Sequence, residues 1–212
     1  MTGIIAIYKP KGPTSNDVLG QIKRKLKIKK VGHAGTLDPL ASGVLVVGIG
    51  REATKRLSEE VKKEKEYIAD IKLGFTSATD DEEGEKQEVS RAEIKDMAVI
   101  KQAIAKFQGE IMQVPPIYSA IKIKGQEAYK LARKGQEVRM LPRPALIKEI
   151  EIIEYKWPYL RLRVVTGPGV YIRSLARDIG QELGAGGYLA GLERTRVGDF
   201  TKEQALTLEQ VE

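Results

Sequence analysis

One segment of twelve residues constrains this chain more than any other part of its sequence. Residues 32–43 (GHAGTLDPLASG) place one carboxylate, that of Asp38, among three glycines and run directly into VLVV at residues 44–47, which is typical of a buried strand. Pro39 biases Asp38 toward an extended backbone, and the glycines allow another chain segment or a flat ligand to approach closely. We therefore predict a rigid loop built around Asp38 as a candidate nucleophile. The alternative is that Asp38 only begins a turn and caps nearby amides.

The residue types that are missing exclude several kinds of site. The chain has no cysteine and one histidine among its 212 residues, which excludes disulfides, thiolate metal sites and a histidine cluster for zinc. The apolar run at residues 4–8 is too short for a signal peptide or a membrane span. We therefore expect a cytoplasmic protein with no bound metal and no membrane association.

The charge of the chain favours a polyanionic partner. Lys and Arg number 36 against 29 Asp and Glu, a net charge of +7. Six of the eight residues at 23–30 are Lys or Arg, and residues 122–143 form a second basic concentration. Both are candidate phosphate-contact surfaces, although a basic run can also be a solvated helix face.

Apolar spacing predicts the elements of a mixed fold. Helices are expected after residues 14–17, over 51–64, over 91–108 and after residue 173; strands are expected over 4–8, 67–75, 150–152 and 159–165. The stretch at 114–144 has prolines at both ends and basic residues and tyrosines between them, which indicates an insertion. The acidic stretch at 79–85 indicates a solvent-exposed turn, which could also repel phosphates. The pattern favours an α/β (α+β) fold with a mixed, largely antiparallel sheet flanked by helices.

A second group of candidate site residues lies at 170–173 (VYIR), after a glycine-bounded turn. If this segment is extended, Tyr171 and Arg173 point to the same face. A guanidinium there favours a planar anionic partner, and Asp38 is the carboxylate that we expect to pair with it and to be kept ionised by it. The alternative is an ordinary surface arginine beside a core tyrosine.

Five motifs, in order along nearly the whole chain, resemble the TruB-type tRNA pseudouridine synthases, which isomerise the T-loop uridine at tRNA position 55. They are KPKG at 9–12, GHAGTLDPLASG at 32–43, KEY at 65–67, YSA at 118–120 and GVYIR at 169–173. The resemblance implies a single pseudouridine synthase catalytic domain over residues 1–212, with residues 114–144 as a thumb-like insertion that grips RNA. Relatives often continue into a C-terminal RNA-binding domain. We expect this chain to lack that domain after Glu212, which departs from the family's pattern.

The resemblance also implies roles for individual residues. Asp38 would be the catalytic aspartate, Tyr67 the ring stacked on the target base, Tyr171 the second active-site tyrosine and Arg173 the partner of Asp38. Leu192 would form part of the pocket wall.

Three further residues would complete the substrate-binding set. His33 would help to hold the rearranged T-loop, and Lys9 and Gly35 belong to the motifs that bind substrate. The expected partner is the T-arm and elbow of tRNA, with no cofactor, no obligate protein partner and a monomeric state.

Two other readings of the sequence stay open. The same loops could grip a folded tRNA in a noncatalytic RNA-binding or RNA-chaperone protein, in which Asp38 is only structural. The Gly48-Ile49-Gly50 step after a strand could instead indicate a nucleotide-binding enzyme, although the segment lacks the phosphate-loop motif and such a step more often marks a tight turn.

Overall fold

The computed structural model describes residues 2–89, 93–94, 96–123 and 125–212. The helices within these ranges are α1 Ser15–Leu26, α2 Arg51–Val61, α3 Met97–Ala105, α4 Ala128–Arg133 and α5 Ile172–Glu182, with a 3₁₀ helix at Lys202–Gln204. The strands are β1 Gly3–Lys9, β2 Val31–Ala34, β3 Ala41–Ile49, β4 Lys65–Leu73, β5 Phe75–Ser77, β6 Lys86–Glu88, β7 Gly109–Gln113, β8 Lys122–Ile123, β9 Gln126–Glu127, β10 Arg143–Lys156, β11 Tyr159–Thr166, β12 Gly187–Val197 and β13 Phe200–Thr201.

Local sequence signals account for most of these elements. The helix expected after residues 14–17 is confirmed as α1, which begins with a capping box in which Thr14 and Asp17 satisfy each other's backbone amides. The helix predicted over 91–108 is shorter, because Asp96 caps it and it begins at Met97. The predicted start at residue 91 lies outside the described residues.

The described chain contains two compact units. The first consists of Met1–Ile68, Arg163–Pro168 and Gly191–Glu212, and the second of Ala69–Leu162 and Gly169–Ala190. Strands β4, β11 and β12 each contribute residues to both units. The expected α/β fold is confirmed. Strand β1 pairs with β3, β2 with β3, β7 with β10 and β12 with β13, all antiparallel, and β12 pairs with β3 in parallel.

Strand β3 forms the core of the first unit and is buried on both faces. Consecutive side chains of a strand point to opposite faces. Val47 shares a core cluster with Val18 of α1, whereas Val46 shares the other cluster with Leu57 of α2. The two helices therefore cover opposite faces of β3, which explains why this strand reads as a continuous apolar run rather than as an alternation.

The glycine step at the end of β3 has a packing role. A Cβ atom on Gly48 would lie 3.1 Å from the backbone of Ala53 and 3.1 Å from the Leu57 side chain, both in α2. The missing side chain lets α2 pack closely on the strand, and Gly50 is the N-cap residue of this helix. This packing accounts for Gly48 without a nucleotide.

The second unit contains the predicted insertion. Strands β7 and β10 pair antiparallel on either side of residues 114–144, with Ile111 opposite Ala145. Within the insertion, β8 and β9 form a small hairpin that leads into α4. The division into domains and the RNA-gripping role of the insertion stay predictions.

Among the residues that the structure describes, no helix is both long enough and apolar enough to cross a membrane.

Candidate active site

The backbone on both sides of Asp38 is held by hydrogen bonds within the first unit. Ser15 Oγ donates to the Leu37 carbonyl and accepts from the Leu37 amide, each at 2.9 Å, and Ser15 is buried. The Gly12 amide donates to the Pro39 carbonyl at 2.8 Å. Asp38 itself is half-buried. Hydrogen bonds therefore hold the predicted loop in place at the residue before Asp38 and at the residue after Asp38.

Arg194 fastens the start of the same loop. This guanidinium is 1% exposed, and its Nε donates to the Val44 carbonyl at 2.8 Å. Its two terminal nitrogens donate to the carbonyls of Gly35 at 3.1 Å and Thr36 at 3.5 Å. One buried side chain of β12 thus connects the loop to β3. The planar fork of arginine suits this task because it presents several donors in fixed directions.

Lys9 places a buried cation near Asp38. Its Nζ donates to the carbonyls of Pro10 at 2.9 Å and Pro13 at 2.8 Å. Burial lowers the pKa of Lys9 to about 8, while the negative charge of Asp38 acts to raise this pKa and Arg194 acts to lower it. The ammonium is therefore part of the electrostatic environment of Asp38.

Three more of the predicted site residues belong to the first unit. Tyr67 is buried on β4, and Leu192 of β12 pairs with Ala41 and packs against the core cluster. Gly35 adopts φ +88°, in the left-handed region, and its carbonyl is one of the three that Arg194 binds.

His33 is the remaining predicted residue of this unit. Burial, and then the charge of Arg194, lower its pKa, so that the imidazole is neutral at pH 7. Among the described residues, its buried Nδ1 has no hydrogen-bond partner. His33 can therefore offer a neutral aromatic ring rather than a positive charge.

The extended conformation predicted for residues 170–173 is wrong. Helix α5 begins at Ile172, so Arg173 lies in its first turn and Tyr171 is the N-cap residue. The helical apolar stripe begins at Ile172, which is buried together with Leu175 and Ile179, so the helix starts before the position predicted after residue 173. Gln113 fixes the cap, because its side chain accepts from the Tyr171 amide at 2.9 Å and donates to the Tyr171 carbonyl at 3.1 Å.

Arg173 is buried in the second unit and bound by several groups. Its Nη1 lies 3.3 Å from Asp81 Oδ2 and 3.4 Å from the Thr79 carbonyl, and its Nη2 donates to the Tyr118 carbonyl at 2.8 Å. Tyr118 belongs to the predicted insertion. The guanidinium thus links the acidic turn, the insertion and α5.

Sequence reasoning missed this role of the acidic turn. Asp81 is 3% exposed rather than solvated, and Asp80 binds Arg177 of α5 at 2.8 Å. A signal was present: the turn carries two adjacent aspartates, Asp80 and Asp81, and α5 carries two arginines one helical turn apart, which can bind neighbouring carboxylates. Buried Arg194 was missed as well, because nothing local distinguishes it from half-buried Arg196.

Six of the eight predicted site residues therefore lie in the first unit, and Tyr171 and Arg173 lie in the second. Within the first unit, Lys9 and Gly35 are connected to the Asp38 loop through charge and through Arg194. The pairing of Asp38 with Arg173, and the catalytic roles of all eight residues, stay predictions. No group of three or more His, Cys, Asp or Glu side chains suited to a metal ion occurs within the described ranges.

Comparison with protein families gives two matches. Residues 23–172 match the TruB family pseudouridylate synthase (N terminal domain), and residues 173–212 match the tRNA pseudouridylate synthase B C-terminal domain. The residues of the second match form α5, β12 and β13, which belong to the two units already described.

Curated relatives match almost the whole chain. A tRNA pseudouridine synthase B of Parabacteroides distasonis is 45% identical over 215 residues, covering 99% of this chain and 91% of that protein. A Bacteroides fragilis protein of the same name is 47% identical over 209 residues, covering 96% of this chain and 89% of its own length.

Solved structures give the same likeness in three dimensions. A chain of a Cbf5-Nop10-Gar1 complex is 34% identical with a TM-score of 0.76, covering 98% of this chain and 53% of that one. A chain of an H/ACA RNP bound to a substrate RNA containing 2′-deoxyuridine is 31% identical with a TM-score of 0.73, covering 98% of this chain and 51% of its own. This chain spans about half the length of these solved structures.

Proposed function

We propose, since this chain belongs to the TruB family of pseudouridylate synthases, that it isomerises uridine to pseudouridine at position 55 in the T-loop of tRNA. The observation that carries this proposal is the fastening of the Asp38 loop. Buried Ser15 and Arg194 hold the backbone before Asp38, and Gly12 holds the backbone after it. A carboxylate held in this way is preorganised for reaction with a bound substrate.

Asp38 is the catalytic residue of this proposal. The reaction breaks the bond from N1 to the sugar, turns the base and joins C1′ to C5, without redox chemistry or an added group. An ionised carboxylate can attack C1′, attack C6 of the ring or deprotonate C2′ so that a glycal forms, and all three routes stay open. In this proposal Arg173 pairs with Asp38 and orients it.

The aromatic and apolar residues act on the target base. Uridine inside a folded loop must be flipped out, which costs about a few kcal/mol, and stacking on an aromatic face such as that of Tyr67 recovers about 1 to 3 kcal/mol. Leu192 contributes to the wall of the pocket. Tyr171, directly or through water, accepts the proton that leaves C5.

The remaining predicted residues serve substrate binding. The neutral ring of His33 suits stacking in the T-loop. Lys9 contributes a buried positive charge near Asp38, and Gly35 belongs to the loop that receives the target uridine. The enzyme works on the T-arm of tRNA as a monomer in the cytoplasm and needs no cofactor.

The test is to incubate purified protein, without metal or cofactor, with unmodified tRNA transcript and to map pseudouridine by carbodiimide-dependent reverse-transcription stops. The expected result is a single T-loop stop that is absent with Asp38→Asn, while the variant still binds tRNA. A stop elsewhere would overturn the substrate assignment. No stop, despite tight and salt-sensitive tRNA binding, would favour the noncatalytic chaperone reading.

A further inference from the structure

Gln113 is a buried polar residue at the base of the insertion. It is the last residue of β7, lies directly before residues 114–144 and pairs with Arg143, the first residue of β10. Its side chain shares a strand face with Ile111, and Gln113 is only 2% exposed. Burying an amide is unfavourable unless hydrogen bonds compensate for the lost water, so a strand position facing the core normally carries an apolar residue.

Both ends of the Gln113 amide bind the backbone of Tyr171. The side-chain oxygen accepts from the Tyr171 amide at 2.9 Å, and the side-chain nitrogen donates to the Tyr171 carbonyl at 3.1 Å. The same carbonyl also accepts from the Leu175 amide at 3.1 Å, as an N-cap carbonyl does. Gln113 thus holds Tyr171 as a neighbouring strand would, at the point where α5 begins.

Tyr171 needs this support because tyrosine is a poor N-cap residue. Ser, Thr, Asp and Asn are preferred there because their short side chains accept from the first amides of the helix. The side chain of Tyr171 makes no such capping bond. A residue that breaks a local rule and is held by a distant part of the chain is typical of a functional site. This arrangement favours a role for the tyrosine ring other than capping.

We propose that Gln113 is a positioning residue for the isomerisation: by holding both backbone groups of Tyr171, it fixes the direction in which the ring leaves the chain. The inference rests on the proposed function, in which Tyr171 accepts the proton that leaves C5. Proton transfer requires the two groups to lie within hydrogen-bond reach, directly or through one water. A misplacement of about 1 Å can cost on the order of 100-fold in rate. Loss of the two bonds therefore slows removal of the C5 proton and leaves tRNA binding intact.

A neighbouring contact between the same two segments supplies a matched control. Ser174 is buried in the first turn of α5, and its Oγ donates to the Val114 carbonyl at 2.8 Å. Arg177 donates to the same carbonyl at 2.9 Å, so Ser174→Ala leaves this carbonyl satisfied. The control variant removes one bond between α5 and the start of the insertion, and both bonds from Gln113 to Tyr171 stay in place.

The test measures single-turnover rates on saturating tRNA transcript that carries either hydrogen or deuterium at C5 of its uridines. Gln113→Met keeps nearly the same side-chain length and removes the amide. We expect it to form pseudouridine roughly tenfold more slowly, with an unchanged Kd for tRNA. Its deuterium isotope effect should exceed that of wild type, because removal of the C5 proton then limits the rate. Ser174→Ala should keep the wild-type rate and isotope effect.

A shorter amide covers the case in which Gln113→Met does not fold. Gln113→Asn keeps an uncharged amide at the buried position, but its side chain is too short to reach both backbone groups of Tyr171. The same slower rate and larger isotope effect are expected from this variant.

A variant of Tyr171 tests whether Gln113 acts through this residue. Tyr171→Phe should raise the isotope effect as well, and adding Gln113→Met to it should cause no further loss of rate, because the hydroxyl that Gln113 positions is then absent. Additive losses, a wild-type isotope effect in Gln113→Met, or an equal rise in Ser174→Ala would overturn the inference. Failure of the proposed function is a separate result: wild type would then form no pseudouridine in tRNA, and the inference would fail with it.

Discussion

Arg173 and Asp81 form a buried ion pair: Nη1 and Oδ2 are 3.3 Å apart, and their side chains are only 8% and 4% exposed. The other oxygen of Asp81 accepts from the Glu83 amide at 3.0 Å and from the Thr79 hydroxyl. Since both charged groups are withdrawn from water, each offsets part of the desolvation cost of the other. The pair therefore fixes Arg173 within the second unit.

Replacement of Asp81 by Asn should destabilise the protein. The substitution leaves the buried guanidinium of Arg173 without this counter-charge, which we expect to cost on the order of 3 kcal/mol of unfolding free energy. Urea unfolding measures this loss. Glu83→Gln in the same turn, where the side chain is exposed, should change stability little; similar losses in both variants would contradict the importance of the buried pair.

Replacement of Arg194 by Lys should reduce kcat more than it changes the Kd for tRNA. A lysine cannot donate simultaneously to the carbonyls of Gly35, Thr36 and Val44, and each buried carbonyl left unsatisfied costs about 1 to 3 kcal/mol. The loop that carries Asp38 would then lose its preorganisation. We expect a decrease in kcat of roughly tenfold or more, measured in single turnover at saturating tRNA.

Arg196 supplies the matched control for this experiment. It lies two residues further along β12, binds Glu64 at 2.7 Å and is half-buried. Arg196→Lys should retain wild-type kcat because lysine can keep a single ion pair. If the two variants lost kcat equally, Arg194 would be a general stabiliser of β12 rather than a positioning residue for the Asp38 loop.

Local sequence patterns predicted the framework of the first unit. The apolar spacing of α1, its capping residues and the apolar run of β3 each act over a few residues, so their signals are readable without the fold. The Asp38 loop was predictable for the same reason, because its glycines and proline restrict the backbone directly.

The missed features depend on contacts between residues distant in sequence. Asp81 and Arg173 are 92 residues apart, and Arg194 and Val44 are 150 residues apart. Nothing near Asp81 indicates that it is buried, because an acidic turn is normally solvated. The start of α5 was misread for a different reason: residues 170–173 fit both a short strand and the first turn of a helix, and only the burial of Ile172 decides between them.

The stability of the protein should rise between about pH 8 and pH 10.5 through two buried lysines. Burial lowers the pKa of Lys9 and of Lys65 from 10.5 to about 8, and in Lys65 the charge of Arg194 adds to this effect. In this window the unfolded chain binds more protons than the folded chain, so raising the pH favours the folded state.

Urea unfolding at several pH values checks this expectation when wild type is compared with Lys65→Met. The variant should show a smaller rise in unfolding free energy over the window, because one of the two contributing groups is absent. Lys101→Met, which removes an exposed lysine, should retain the wild-type profile. Identical profiles for wild type and Lys65→Met would contradict the lowered pKa.

Replacement of Gly43 by Ala should disrupt the junction between the Asp38 loop and β3. Gly43 has φ +110°, and a Cβ atom there would lie 2.2 Å from the Arg194 carbonyl oxygen, with which it is paired across β3 and β12. The clash involves backbone, so β12 must move, and Arg194 moves with it.

Gly109→Ala is the matched control, because Gly109 has φ +101° and no atom within 4 Å of the added Cβ. We expect Gly109→Ala to lose only the unfolding free energy that corresponds to the backbone strain, on the order of 1 kcal/mol, and to keep kcat. Gly43→Ala should lose more stability and most of its activity. Equal effects in thermal unfolding and in single-turnover kinetics would show that backbone strain, rather than the close approach of β12, is what Gly43 relieves.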